Sequence, residues 1–204
     1  STHRVFAMSE IAVVADESAQ PESVAADLLS QAEHDPMAVS VLFTHSEKLI
    51  AAVQAAVDRQ LAMLERRVIL KKSIEGCGLI VKTKNVNESI ALSNRFAPEH
   101  LSVQVKNARK LLAKIRHAGA IFLGPLSPVA FGDYLAGPNH VLPTGGSARF
   151  FSPLGTYDFL KRTTIIHAER RGLKALAAEI THLARLEGLD DHARSVEVRF
   201  KKGL

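Results

Sequence analysis

The sequence has 204 residues, of which 47% are hydrophobic and 23% charged, and its formal net charge is +5. This composition is typical of a folded globular protein and excludes an intrinsically disordered chain. The basic residues lie in scattered pairs that are not interleaved with aromatic residues. Solvated helix faces explain such pairs better than a nucleic-acid partner does, so we expect no binding to nucleic acid.

Cysteine content and hydropathy bear on the compartment. Cys77 is the only cysteine, so no disulfide can form within the chain and nothing indicates an oxidising environment. No apolar run approaches the length of a transmembrane helix, and the first residues lack the apolar stretch of a signal peptide. We therefore expect a cytoplasmic protein with no membrane partner.

Strand and helix patterns alternate along the first part of the chain. In chain order they predict strand 10–16, helix 22–34, strand 39–44, helix 46–64, strand 79–82, helix 86–94, strand 101–105, helix 108–115 and strand 118–123. This alternation predicts an α/β fold: a mostly parallel sheet flanked by helices, an incomplete Rossmann-like arrangement, with a small C-terminal helical and extended tail. In such sheets ligands collect beyond the carboxyl ends of the strands.

Residues 124–155 hold many of the glycines and prolines. Aromatic residues such as Phe131 and Tyr134 are interspersed there, which favours an ordered, functional loop. Beyond it the patterns predict a strand-like segment at 163–167, a helix at 173–186 and an edge strand at 195–200. We divide the chain into an α/β domain, residues 1–155, and a C-terminal helix and tail region, residues 156–204.

Gln31 and His34 lie three residues apart within a predicted helix. This spacing turns both side chains to one face, where an amide oxygen and an imidazole nitrogen could hold a metal ion. The alternative is a polar pair satisfied by hydrogen bonds, since glutamine is an uncommon zinc ligand.

Glu99 and His100 follow Pro98, which should end the preceding helix. A carboxylate beside an imidazole can serve as a general acid and base near neutral pH. The alternative is a helix-capping glutamate beside a loop histidine.

Further polar residues of the same types follow later in the chain: Asp133, His140, Glu187 and His192. Asp133 is a normal type of zinc ligand, and Gly132 beside it permits a tight backbone. Taken singly, these residues can equally be a turn-forming aspartate and solvent-exposed side chains.

Several common motifs are absent from the sequence: His-Glu-x-x-His, Cys-x-x-Cys and the P-loop. Gly76-Cys77-Gly78 precedes a predicted strand and lacks the third glycine, so it is not a dinucleotide fingerprint. Composition and spacing alone thus indicate an α/β protein with a candidate Gln/His/Asp metal site.

Four segments read together resemble histidinol dehydrogenase. They are DLLSQAEH at 27–34, RFAPEHL at 95–101, the long segment 119–162 and EGLDDH at 187–192, and the resemblance runs from about Ser9 to the end. It implies a zinc-dependent homodimeric oxidoreductase. Such enzymes oxidise L-histidinol to L-histidine through an aldehyde in two NAD-dependent steps, the last of histidine biosynthesis.

The resemblance also implies a role for each matching position. Gln31, His34 and Asp133 match three zinc ligands, and His192 matches a fourth that the partner subunit supplies, which makes residues 156–204 a dimer-contact element. Glu99 and His100 match the catalytic acid–base pair. Substrate contacts are implied at Ser9, Gln31, His34, His100, Asp133, His140, Glu187 and His192.

This chain departs from the family's pattern in several places. The family's chains are longer, so the resemblance implies a C-terminal half without the residues that contact NAD. Phe6-Ala7-Met8 stands where the family has Ala-Gly-Pro, which indicates that about the first eight residues are unrelated to it; Val129 and Leu64-Glu65 also differ. Two functions follow as alternatives: a histidinol dehydrogenase that needs the missing part, or a non-catalytic, zinc-binding, dimerising remnant.

Overall fold

The computed structural model describes residues 8–201 and divides the chain into two compact units, Ser1–Phe159 and Leu160–Leu204. The first unit contains a five-stranded sheet in which every neighbouring pair is parallel. Its strands, β1 to β5 in chain order, are Glu10–Ala15, Val39–Thr44, Gly78–Lys82, His100–Gln104 and Ala120–Leu123. The strand order is β3-β2-β1-β4-β5. This is the strand order of a Rossmann-like sheet without its sixth strand, which confirms the predicted fold class.

Helices cover both faces of this sheet. The α-helices of the first unit, α1 to α5, are Pro21–Ala32, Glu47–Met63, Arg67–Cys77, Val86–Phe96 and Val129–Tyr134. Every side chain of β1 is buried, as expected of a central strand with helices on both sides. Ile11 and Val13 pack in the core beneath α1 and α2, whereas Ala12 and Val14 pack in the core beneath α4.

Local sequence signals explain where these helices begin. Pro21 is the first residue of α1, where its missing N–H costs nothing. The Ser46 side chain accepts a hydrogen bond from the Leu49 N–H at the start of α2. The Asn85 side chain likewise accepts from the N–H groups of Asn87 and Glu88 at the start of α4.

Four expectations from the sequence differ from the structure. Helix α3 was not predicted, because residues 65–77 mix apolar residues with charges and a glycine in ways that periodicity does not resolve. The glycine- and proline-rich segment contains the short helix α5. Residues 108–115 form a 3₁₀ helix, Ala108–Lys114, instead of an α-helix. Residues 163–167 are not a strand but irregular.

The second unit is helical. It consists of α6, Arg170–Leu186, and α7, Asp190–Glu197, followed by a 3₁₀ turn at Val198–Phe200. The predicted edge strand at 195–200 is therefore wrong, since residues 195–197 end α7 and residues 198–200 form the 3₁₀ turn. Among residues 8–201, no helix is both long and apolar enough to cross a membrane.

Candidate functional site

The residues that carry the candidate chemistry meet where β1 and β4 begin. Ile11 is paired with His100 across these parallel strands, and His100 is paired with Ala120 of β5. The site therefore lies at the amino edge of the sheet, and not at the carboxyl edge where we expected ligands. Helix α4 ends at Phe96, and the capping residue Ala97, which has a left-handed backbone conformation with φ of 55°, is followed by Pro98. This sharp exit places Glu99 and His100 directly at the start of β4.

Glu99 is 7% exposed, and the segment that leads into β1 holds its carboxylate. The Ser9 hydroxyl donates a hydrogen bond to Glu99 Oε2 at 2.6 Å, and the Glu10 N–H donates to the same oxygen at 3.1 Å. Two donors from neighbouring residues fix both the position and the orientation of the carboxylate.

Gln31, on the last turn of α1, extends this network. Its Nε2 atom donates to the Ser9 hydroxyl at 2.6 Å, and the Gln31 side chain is buried. The Ser9 hydroxyl thus accepts from an amide and donates to a carboxylate, so both of its roles are used. Because the amide nitrogen makes this bond, the bond leaves the Gln31 amide oxygen available as a ligand atom.

His100 is 4% exposed and is oriented by a backbone carbonyl. Its Nδ1 lies 3.2 Å from the Glu10 carbonyl oxygen and 3.5 Å from Glu99 Oε2. Both of these atoms are acceptors, so the geometry assigns the ring proton to Nδ1 and leaves Nε2 as the basic nitrogen. His100 Nε2 faces Asp133 Oδ1 at 3.8 Å, and the Phe122 ring packs beside the imidazole with centroids 6.1 Å apart.

Asp133 reaches the site because α5 lies close to β5. A Cβ atom on Gly132 would come within 2.5 Å of the Phe122 ring, so only glycine permits this approach. The Asp133 side chain is 21% exposed, more than those of Glu99 and His100. Asp133 therefore stands where the buried pair meets solvent.

The structure thus brings together five of the residues that the sequence analysis singled out: Ser9, Gln31, Glu99, His100 and Asp133. His34 lies beyond the end of α1, with its N–H bonded to the Gln31 carbonyl and its side chain exposed. His34 therefore does not lie on the helical face that Gln31 occupies, because the helix ends before it. His140 is exposed in the loop after α5. Glu187 and His192 belong to the second unit, at the end of α6 and in α7, and both are exposed.

Two buried carboxyl groups escaped the sequence analysis. Glu10 is 6% exposed, and its Oε1 accepts a hydrogen bond from the Gly146 N–H at 3.4 Å. Burial raises the pKa of the Glu10 carboxyl, and the nearby charge of Glu99 adds to this effect. The signal in the sequence was an acidic residue at the head of an otherwise apolar strand.

Asp27, in the middle of α1, is the other buried carboxyl group. Its Oδ2 accepts hydrogen bonds from Ser102 Oγ at 3.0 Å and from Gln104 Nε2 at 2.8 Å. Burial raises the pKa of Asp27, although these two bonds oppose the shift. The signal was the spacing of His100, Ser102 and Gln104, which places polar residues on one face of a buried strand.

The predicted zinc ligands supply suitable donor atoms. Gln31, His34 and Asp133 offer an amide oxygen, an imidazole nitrogen and a carboxylate, and zinc accepts all three. Within residues 8–201, no group of three or more His, Cys, Asp or Glu side chains is gathered as a metal cluster. Only His34 and Asp133 among the predicted ligands of the first unit are of these types, so this finding does not bear on the predicted set. The chemistry of the donors therefore fits zinc.

A dinucleotide, in contrast, does not fit the glycines present. Gly76 lies in α3, and Gly78 is the first residue of β3, so this glycine pair leads into a strand. A dinucleotide fingerprint instead follows a strand and opens a helix. Nowhere in the sequence do three glycines have the required spacing.

Comparison with known proteins places these residues in a family. The family model described as histidinol dehydrogenase matches residues 5–200. Curated histidinol dehydrogenases from Syntrophotalea carbinolica and Aquifex aeolicus are 53% and 50% identical, over 95% and 94% of this chain. The chain spans 45% of the length of each of these relatives.

The fold agrees with this relationship. A crystal structure of histidinol dehydrogenase from Elizabethkingia anophelis matches with a TM-score of 0.89 at 37% sequence identity. The match covers 95% of this chain and 45% of that one. The match to the family model begins at residue 5, and our interpretation of residues 1–8 as unrelated to the family falls, except for Met8, outside the described residues.

Proposed function

The chain belongs to the histidinol dehydrogenase family, and from this premise we propose that it carries the acid–base and metal-ligand part of an enzyme that oxidises L-histidinol to L-histidine with NAD. The observation that carries the proposal is the buried network that runs from Gln31 through Ser9 to Glu99 and on to His100. A network of this kind holds an acid and a base in fixed positions, away from bulk water.

His100 is the proposed general base of the first oxidation. Its Nδ1 is engaged by the Glu10 carbonyl, so Nε2 takes the proton from the substrate hydroxyl. Asp133, 3.8 Å from Nε2, lies near enough to stabilise the imidazolium that then forms.

Glu99 is the proposed base of the second oxidation. Its carboxylate removes a proton from the water that attacks the aldehyde. Hydrogen bonds from the Ser9 hydroxyl and the Glu10 N–H hold the carboxylate in its orientation. The proton ends on the Glu99 carboxyl while the water oxygen forms its bond to carbon.

Gln31, His34 and Asp133 would hold a zinc ion, with His192 of a second copy as the fourth ligand. A bound zinc ion would bind the amino and imidazole nitrogens of the substrate and so orient it. No residues of this chain are assigned to NAD, because its glycines do not form a dinucleotide fingerprint. A homodimer in the cytoplasm is part of the same proposal.

The test is NADH formation from L-histidinol and NAD, followed at the absorbance of reduced nicotinamide, with added zinc and with the part of a relative's length that this chain does not span supplied as a second polypeptide. The proposal predicts a rate that disappears in His100→Ala and persists in His45→Ala, since the partly exposed His45 pairs with the exposed Glu17 away from the site. A rate that survives in His100→Ala would contradict the assigned base. If no NADH forms, but zinc binds one-to-one and is lost in His34→Ala, the chain is instead a zinc-binding remnant.

A further inference from the structure

We infer that Glu10 is a positioning residue for the Glu99–His100 pair, and that its side chain acts by tying the start of β1 to the turn at residues 144–147. The inference rests on the proposed function for its catalytic meaning. Three groups of Glu10 make the contacts that matter: its N–H, its carbonyl and its carboxyl.

The backbone of Glu10 contacts both members of the pair. Its N–H donates to Glu99 Oε2 at 3.1 Å, and its carbonyl accepts from His100 Nδ1 at 3.2 Å. A small movement of residue 10 therefore displaces the carboxylate and the imidazole together. Such a movement would also break the hydrogen bond that keeps the ring proton on Nδ1. That proton position is what leaves Nε2 as the basic nitrogen.

The side chain of Glu10 holds this backbone in place. Its Oε1 accepts from the N–H of Gly146, which has a φ of 74° in the turn that connects to the 3₁₀ helix Ser147–Arg149. Arg149 Nη1 in turn donates to the Gly146 carbonyl at 2.8 Å, and the Ser147 hydroxyl donates to the Thr144 carbonyl at 2.6 Å. The first residue of β1 is thereby linked to a turn that hydrogen bonds within residues 144–149 stabilise.

Stability does not explain why an acid occupies this position. Glu10 is 6% exposed, and the described residues provide no cation within salt-bridge distance of it. An apolar side chain of similar size would avoid the desolvation cost of a buried carboxyl group. Buried, unpaired acids beside a reactive pair are typical of functional sites.

The test compares Glu10→Met, which fills similar space without an acceptor, with Glu10→Gln, whose amide oxygen can still accept from Gly146. The first readout is the ¹⁵N chemical shift of the His100 ring nitrogens, which reports the nitrogen that carries the proton. The second readout is the rate of NADH formation, and the third is the midpoint of thermal unfolding. Ser73→Ala is the control, because it removes a buried hydrogen bond between Ser73 of α3 and the carbonyl of Ala38, the residue before β2.

We expect the wild type and Glu10→Gln to hold the proton on Nδ1 of His100, and Glu10→Met to give a mixture of tautomers. Glu10→Met should also lose about tenfold or more in rate without a lower unfolding midpoint, while Ser73→Ala should lower the midpoint and keep the tautomer. An unchanged tautomer in Glu10→Met, or Glu10→Gln as damaged as Glu10→Met, would overturn the inference. If the wild type forms no NADH, the proposed function fails, and the tautomer still decides the role of Glu10.

Discussion

Two side chains, Glu99 and His100, carry the proposed chemistry, and each depends on contacts from the neighbouring strand. Glu99→Gln would keep the shape of the network but remove the base that activates water. We predict that this variant still performs the first oxidation and accumulates aldehyde, with the second step slowed by about a hundredfold or more. Rapid-quench analysis of products measures this directly, and a normal rate of L-histidine formation would rule out the water-activating role.

Gly132 tests how tightly α5 must approach the site. In Gly132→Ala the new Cβ would overlap the Phe122 ring, which is 8% exposed and packs beside His100. We predict a loss of about 1–3 kcal/mol in the free energy of unfolding, measured by urea denaturation. Gly76→Ala is the matched control, because its Cβ would meet nothing within 4 Å and should stabilise α3 by about 0.5–1 kcal/mol. Equal effects of the two substitutions would show that the close approach of α5 is unimportant.

The buried carboxyl group of Asp27 makes the stability of the fold depend on pH. Burial raises its pKa in the folded state above the ordinary value of 3.8, so the folded state binds more protons than the unfolded state in the range between the two values. The contribution of Asp27 to stability is therefore full below pH 3.8 and is lost as the pH rises through the raised folded value.

Asp27→Asn removes this titration. We predict that its free energy of unfolding, relative to the wild type, improves steadily as the pH rises from about 4 to neutral, and urea denaturation at several pH values measures this. Glu10 titrates in the same direction and remains in both proteins, so the difference between them isolates Asp27. A difference that does not change with pH would contradict the assigned burial of this carboxyl group.

At the scale of elements, α3 closes the core beside α1 and β2. Leu70 of this helix is 1% exposed and belongs to the core beneath α1 and α2, whereas Val68, on the same helix, is 66% exposed. We predict that Leu70→Ala costs about 2–5 kcal/mol in the free energy of unfolding and that Val68→Ala changes it by less than about 0.5 kcal/mol. Chemical denaturation of both variants is the measurement, and a similar cost for the two would mean that α3 does not pack as described.

The five strands were predictable because β1, β2, β3 and β5 are short, mainly apolar runs and β4 alternates polar with apolar residues. The helix α3 was not predictable, because its apolar residues face a core that only the folded sheet creates. The segment 195–200 alternates like a strand, but it forms the end of α7 and a 3₁₀ turn, and the described residues of the second unit contain no strand with which it could pair. Alternation alone does not specify a strand without a neighbour to pair with.

The site was predictable to a similar degree. Glu99 and His100 are adjacent in sequence, so their proximity needed no fold, and the family resemblance supplied Ser9, Gln31 and Asp133. The role of Glu10 was not predictable, because it depends on a contact with Gly146, 136 residues later in the chain. The placement at the amino edge of the sheet depends on where α4 ends, at Phe96, three residues before Glu99.

At the scale of the whole molecule, α6 presents an apolar face that the proposed homodimer would cover. Leu176 and Leu183, which share one face of this helix, are 58% and 61% exposed. We predict that Leu183→Glu shifts the protein toward the monomer in sedimentation velocity, whereas Ala178→Glu, the same charge change on the opposite face, does not. A wild-type sedimentation profile for Leu183→Glu would contradict a dimer contact through this face.

Isothermal titration of L-histidinol into the zinc-loaded protein tests the central claim most directly, because it needs no NAD. If the network around Glu99 and His100 forms the substrate site, binding requires zinc, weakens by about tenfold or more in His100→Ala and is unchanged in His45→Ala. Equal affinities of the wild type and His100→Ala for L-histidinol, or no binding of L-histidinol by the zinc-loaded wild type, would contradict the claim that this network forms the substrate site.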